Sequence, residues 1–226
     1  GDTKQLASVG AGNVFQDLID SGIIPIVTLN VVKRQGVDSG IHRNANRIIR
    51  GEMITSCKDT KDAYVLRKNT LLDTQLAIIK SVYEVQRVYG FDISDIQVLC
   101  PQKNGLIGTN AMNYLIQQEF NYKDKGIYVL NKKVRILNPI NKKEEIVPLN
   151  FQIGDKVIHI KNNYDMKWYR KVQGELYIEN FDVVGITNGE TGIIIDIKNG
   201  TPGDTYKHRI IVQYEEGYVF YDDQFD

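Results

Sequence analysis

The sequence predicts an α/β protein in two parts. An incomplete, helix-covered parallel sheet is expected over residues 1–149, and a small antiparallel β-barrel over residues 150–226. Two patterns carry this reading. Through the first half, apolar residues at helical spacing alternate with short apolar runs, the pattern of a parallel sheet under helices. After about residue 150 the period shortens to that of strands, and turn dipeptides separate them.

The elements follow in order. Gly12-Asn13 precedes Val14, Leu18 and Ile19, one face of a short helix that ends at Gly22. Ile23 to Leu29 is apolar, carries Pro25 and predicts a strand. Asp38 or Ser39 can cap a helix bearing Ile41, Ala45, Ile48 and Ile49, closed by Gly51. Thr74 is read as the cap of a longer helix with Leu76, Ile79, Val82 and Tyr83 inward and Gly90 as its stop. Ile96 to Cys100 predicts a strand ending at Pro101, and Thr109 starts a helix with Met112, Leu115, Ile116 and Phe120 on one side. Beyond Asn150 the strands are Val157–Ile160, Gly192–Ile197, Ile210–Tyr214 and Tyr218–Tyr221. Asn188-Gly189, Asn199-Gly200, Pro202-Gly203-Asp204 and Glu216-Gly217 supply the turns.

Composition excludes several classes. The chain has 226 residues, 42% hydrophobic and 25% charged, as in ordinary globular proteins. No apolar run approaches the roughly 18–20 residues that span a bilayer, so no membrane partner is expected. The opening residues lack the basic and apolar regions of a signal peptide, and the missing initiator Met suggests a start inside a longer protein. Cys57 and Cys100 form no CxxC, which fits two reduced thiols in a cytoplasmic protein. His42, His159 and His208 are scattered, so no metal site is expected. Formal charge is zero, yet basic residues concentrate between Lys123 and Lys143 and again between Lys156 and Lys171. Such runs are solvated faces or one side of a nucleic-acid cleft.

Four segments carry a resemblance. Gly1-Asp2-Thr3-Lys4-Gln5-Leu6-Ala7-Ser8-Val9-Gly10-Ala11-Gly12-Asn13 resembles the GDxxQLPSVGxGN segment of RecD/TraA-type DNA helicases of superfamily one, the group of the exodeoxyribonuclease V alpha subunit, with Ala7 in place of Pro. Leu29-Asn30-Val31-Val32-Lys33-Arg34-Gln35 resembles the family's LTxxFRQ, with Asn30 for Thr and Lys33 for Phe, and Asn44-Ala45-Asn46-Arg47-Ile48 resembles NAHRI. Val98 to Asn110 is similar to LSPMxxGxxGTxxLN. Phe151-Gln152-Ile153-Gly154-Asp155-Lys156-Val157-Ile158 with Asn162-Asn163-Tyr164 resembles FRVGDRVMQxxNNY, and Asn188-Gly189-Glu190-Thr191-Gly192 resembles NGDxG. Between these last two motifs the chain carries extra residues around Trp168 to Val184.

The resemblance implies a fold and a set of roles. Residues 1–149 would be part of a second RecA-like motor domain of the P-loop-NTPase type, and residues 150–226 an inserted Src-homology-3-like barrel. Asp2, Gln5, Arg34 and Gln35 would lie by the nucleotide, with Gln5 and Arg34 as catalytic sensors of the terminal phosphate. An amide can bond both a phosphate oxygen and the attacking water, and a guanidinium offers paired charged donors. Thr109, Lys161, Asn162, Asn163 and Tyr164 would hold single-stranded DNA through phosphates and stacking. Trp168 and Tyr169 are further stacking candidates, with a place in the barrel core as the commoner role.

No GxxxxGK[ST] loop occurs in the sequence. The chain is therefore expected to contribute to a helicase without hydrolysing ATP by itself and without a bound cofactor. ATP and Mg²⁺ would belong to the intact parent. Its partners would be single-stranded DNA, the first motor domain and closing motifs, and the subunits of a nuclease complex, in DNA repair or recombination. Movement 5′-to-3′ is implied by the resemblance alone. Two other readings stay open: the helicase portion of a conjugative relaxase, and a non-enzymatic nucleic-acid-binding module on a degenerate motor domain.

Arg34 gives the sharpest expectation. In the full-length parent, Arg34→Ala should lower DNA-stimulated ATP turnover by about 10³–10⁵-fold while leaving DNA binding nearly intact. Arg34→Lys should rescue poorly, because an ammonium lacks the paired geometry. Steady-state turnover with DNA anisotropy on both variants checks this; near-normal turnover in Arg34→Ala would move the role to Lys33.

Overall fold

The computed structural model describes residues 2–5, 10–29, 38–121, 127–174 and 176–222. It divides into two compact units, Gly1–Arg67 and Lys68–Asp226. The change of period near Asn150 falls inside the second unit.

In the first unit, α1 (Val14–Asp20) and α2 (Gly40–Ile49) form where apolar spacing predicts them. Ser39 caps α2 by accepting from Ile41 N–H at 3.2 Å. Its hydroxyl also donates to Asp62 Oδ2 at 2.6 Å, and Gly40 N–H donates to the same carboxylate at 3.0 Å. The Ser39 and Thr60 hydroxyls hold the Asp62 carboxyl down at about 2. Gly40 has to be glycine, since a Cβ there would sit 2.4 Å from Cys57 Cβ.

The second unit begins with α3 (Leu71–Tyr89), capped by Thr70, whose hydroxyl accepts from Asp73 N–H at 3.0 Å. The helix thus starts one turn before Thr74, the cap expected from sequence. Gly90 ends it at φ +72°. Val82 is buried, whereas Leu76 and Tyr83, expected inward, are 43% and 47% exposed. Gln75 is buried in their stead and donates to Leu106 O at 2.6 Å. α4 (Thr109–Phe120) packs Ala111, Met112 and Leu115 on Val134 and Ile136 of β1 (Ile127–Leu137). β1 pairs antiparallel with β2 (Glu144–Gln152).

A six-stranded antiparallel sheet follows. It contains β3 (Lys156–Ile158), β4 (Asn163–Val172), β5 (Leu176–Ile186), β6 (Thr191–Asn199), β7 (His208–Tyr214) and β8 (Gly217–Asp222). Their order is β3-β6-β7-β8-β4-β5. Trp168, Ile186, Ile194, Ile210, Val212, Tyr214 and Val219 form its core.

Two expectations are not shown by the described residues. The parallel sheet is not formed by the described residues: 23–29 and 96–100 carry no ladder pairing, and both described sheets are antiparallel. In residues 23–29 the apolar side chains stay in solvent, with Ile23 84% and Leu29 90% exposed. Apolar content alone does not make a strand without a neighbour to complete its hydrogen bonds. The barrel is not closed either, since β3 and β5 are the two edges of the sheet. No described helix is long and apolar enough to cross a membrane.

Helix and sheet of the second unit meet at Asp155. Its carboxylate accepts from Gln117 Nε2 at 2.6 Å, Asn121 Nδ2 at 2.7 Å and Gln152 N–H at 2.8 Å. Burial pushes this carboxyl up, and the three donors oppose the shift. Asp155→Ala should cost about 2 kcal/mol, because three part-buried donors lose their acceptor. With a folded pKa above the unfolded value, the stabilisation tied to the protonated Asp155 carboxyl is full below about pH 4 and is lost as pH rises through the folded pKa. Urea unfolding of the wild type and Asp155→Asn from pH 4 to 7 checks this: the wild type's advantage should shrink as pH rises.

Candidate nucleic-acid interface and an adjoining cavity

Beyond β3 the chain stays alongside β6: His159 N–H donates to Glu190 O and Gly189 N–H to His159 O, both at 2.8 Å. The next residues turn across to β4. Asn162 fixes that turn, its Oδ1 accepting from Asn188 N–H at 2.7 Å and its Nδ2 donating to the Tyr164 hydroxyl at 3.1 Å. Asn163 Oδ1 accepts from Asp165 N–H at 3.1 Å. Two motifs 26 residues apart in the chain thereby meet in space. The two asparagines act here as staples of the loop; what they leave outward is the Lys161 ammonium and the Tyr164 ring, 69% exposed.

The rest of the basic stretch is committed elsewhere. Lys156 Nζ donates to Ser94 O at 2.6 Å and Ile96 O at 3.3 Å. Lys167 pairs with Glu179 at 3.1 Å, and Arg170 pairs with Asp182 and donates to Asn180. Lys171 lies 5.8 Å over the Tyr177 ring. Lys161 alone in this stretch has no partner among the described residues. Trp168 is 1% exposed and donates to Gly185 O at 2.7 Å, so it fills the core and cannot stack a base. Tyr169 lies flat on Phe220, ring centroids 4.0 Å apart.

Thr109 is less available than its motif suggests. Its N–H donates to Gln102 O at 3.0 Å, and the next amide, of Asn110, donates to Lys103 O at 3.1 Å. A phosphate at this helix start would compete with both carbonyls. Gly108 lets the loop close this tightly, since a Cβ would fall 2.4 Å from Asn104 O.

Of the nucleotide set, Asp2 and Gln5 are exposed residues of the first unit. Asp2 accepts from Lys4 N–H at 2.9 Å, which holds its carboxyl below the usual range, and Gln5 Nε2 donates to it at 3.2 Å. Arg34 and Gln35 lie outside the described residues. Among the described residues no three His, Cys, Asp or Glu side chains gather as a metal site.

Beside the Lys161–Tyr164 loop, the open sheet leaves a cavity of about 500 Å³. Phe151, Val157, Met166, Ile194 and Val212 make its apolar walls. Its exposed lining is Ile158, Ile160, Lys161 and Asn162. The polar part is a hydrogen-bonded chain: the Tyr214 hydroxyl meets that of Tyr221 at 2.8 Å, which meets His159 Nδ1 at 2.9 Å. Burial raises both phenols above their usual range, so they stay neutral. His159 Nε2 is buried and has no hydrogen-bond partner among the described residues.

Sequence reading passed over this chain, taking His159 as one of three scattered histidines. A signal was present. Val157 and His159 alternate with Ile158 and Ile160, which are 54% and 63% exposed, so period two already puts the imidazole on the inner face. Tyr214 and Tyr221 follow Val212 and Val219 by the same rule.

Tyr221→Phe should destabilise the protein by about 1–2 kcal/mol, because one lost hydroxyl unpairs both Tyr214 and His159 Nδ1. Tyr214→Phe, which ends the chain without breaking its middle, should cost less; urea midpoints of the two variants give the comparison.

No protein-family model matches the chain, and no solved structure matches it.

Proposed function

We propose that the chain supplies nucleotide-sensing and single-stranded-DNA-binding elements to an ATP-dependent, RecD-like helicase, with the Lys161–Tyr164 loop as its grip on DNA. In this reading residues 1–149 belong to a RecA-like motor domain, and ATP with Mg²⁺ is bound only in the intact parent. The ordered motifs along the sequence support the motor assignment. One structural observation supports the DNA grip: an unpaired ammonium and an exposed phenol ring stand on a loop that Asn162 holds rigidly against the Asn188 turn. A cation for phosphate beside a ring for base stacking is the elementary unit of single-strand binding.

The grip predicts weak, salt-sensitive binding. Fluorescence anisotropy with a labelled oligothymidylate should give affinities that fall linearly on a log–log salt plot, and Lys161→Ala should reduce the slope by about 0.7. Tyr164→Ala should weaken binding about tenfold. Absence of binding at low salt, or unchanged affinity and slope in both variants, would refute the assignment.

A further inference from the structure

We infer that Asn104 is a site of spontaneous deamidation, where the folded chain exchanges a neutral amide for a carboxylate in the loop that leads into α4.

Three Asn-Gly pairs occur in the sequence: Asn104-Gly105, Asn188-Gly189 and Asn199-Gly200. In such a pair the glycine nitrogen can attack the asparagine side-chain carbonyl, because no Cβ shields the approach. The glycine N–H first gives its proton to a base in water. A bond then forms from this nitrogen to the asparagine Cγ. The bond from Cγ to the side-chain nitrogen breaks, and that nitrogen leaves with a proton from water as ammonia. Water opens the resulting succinimide ring at either carbonyl, which yields aspartate or isoaspartate with no oxidant or reductant.

The fold separates the three pairs. Gly189 N–H donates to His159 O at 2.8 Å, and Asn188 N–H donates to Asn162 Oδ1 at 2.7 Å. Gly200 N–H donates to Lys207 O at 2.7 Å, and Asn199 Oδ1 lies 3.0 Å from His208 Nδ1. At both turns the attacking nitrogen has its proton engaged and its position fixed by a neighbouring strand. Gly105 differs. Its N–H has no hydrogen-bond partner among the described residues, and both Asn104 and Gly105 are exposed. The Asn104 side chain makes one hydrogen bond among these residues, its Oδ1 accepting from Asn110 Nδ2 at 3.1 Å. That donor faces the oxygen on which negative charge gathers as the ring closes, so it favours the attack.

The product matters to the loop. Isoaspartate lengthens the main chain by one carbon inside a turn that closes through Asn110 N–H on Lys103 O at 3.1 Å. Either product sets a negative charge against the Asn110 side chain at the start of α4.

The test holds the full 226-residue chain at mildly alkaline pH, once folded and once unfolded in urea, and follows each site by peptide mass spectrometry. Unfolded, the three sites should react at similar rates. Folding should leave Asn104 near its unfolded rate and slow Asn188 and Asn199 about tenfold, since attack there must first break a hydrogen bond. An acidic form of the folded chain should accumulate on ion exchange. Asn104→Gln, which would have to close a larger ring, should remove most of it. Equal rates at the three sites in the folded chain would overturn the assignment. So would slowing of Asn104 to match the other two, or an acidic form that accumulates as fast in Asn104→Gln.

Discussion

The second unit depends on one half-buried carboxylate. Asp155 gathers donors from two places on α4 and from the end of β2, and a carboxylate is suited to this because it accepts in several directions and donates in none. Its neighbours extend the joint. Gly154 N–H donates to Ile194 O at 2.7 Å and Ile194 N–H to Asp155 O at 2.9 Å, which sets β6 against the turn. Gly154 adopts φ +94°, and a Cβ there would lie 2.9 Å from Asn121 Oδ1, so a side chain would wedge the helix off the joint. Lys156 then reaches the carbonyls of Ser94 and Ile96. Three consecutive residues thus tie a helix, a loop and a strand, and the direction in which β3 leaves fixes where the Lys161–Tyr164 loop lands.

That joint changes the meaning of a motif. From sequence Lys156 opens a basic stretch, a solvated face or one side of a nucleic-acid cleft, and Gly154-Asp155 lead into it. In the fold the three are architecture: glycine for close approach, aspartate as acceptor, lysine as a cap on carbonyls. The candidate site comes a few residues later, after the chain has been aimed.

Legibility followed the range of the interactions involved. Helices were readable because their signals are local: Ser39 caps α2, Gly90 ends α3, and α4 begins at Thr109. β3, β6, β7 and β8 were readable because β-branched residues cluster between turn dipeptides. β1 and β2 were hidden by charge. Lys132, Lys133 and Arg135 suggested a solvated run, yet Val134 and Ile136 alternate with them and are 7% and 3% exposed. β4 was hidden in the same way by Trp168-Tyr169-Arg170-Lys171, where an aromatic pair beside two cations looked like a binding motif. The parallel sheet is not among the described ladders for a different reason. Pairing between distant segments is decided by which neighbours are present, and among the described residues 23–29 and 96–100 have no strand beside them. Of the candidate site, its place in the fold was legible, and the stapling roles of Asn162 and Asn163 were not, because they depend on a turn 26 residues away.

Charge bookkeeping decides which face of the sheet can act. With 28 basic and 28 acidic residues, the chain has no net field to draw a polyanion, so a nucleic-acid contact must come from local imbalance. On one side the aromatic and cationic groups satisfy each other: Tyr169 stacks on Phe220, Tyr177 meets Phe220 and Tyr218 edge-on, and Arg209 holds Asp222 through two bonds at 2.6 and 2.7 Å. Rings packed against each other have little face left for a base, and a guanidinium in a bidentate pair has little charge left for a phosphate. The cavity side differs: among the described residues Lys161, in its exposed lining, has no partner. The open sheet explains the contrast. In a closed barrel β3 and β5 would be neighbours and the inner face would be packed solid, as small barrels are. Because they remain edges, the apolar interior keeps an opening, and Lys161 stands in its exposed lining.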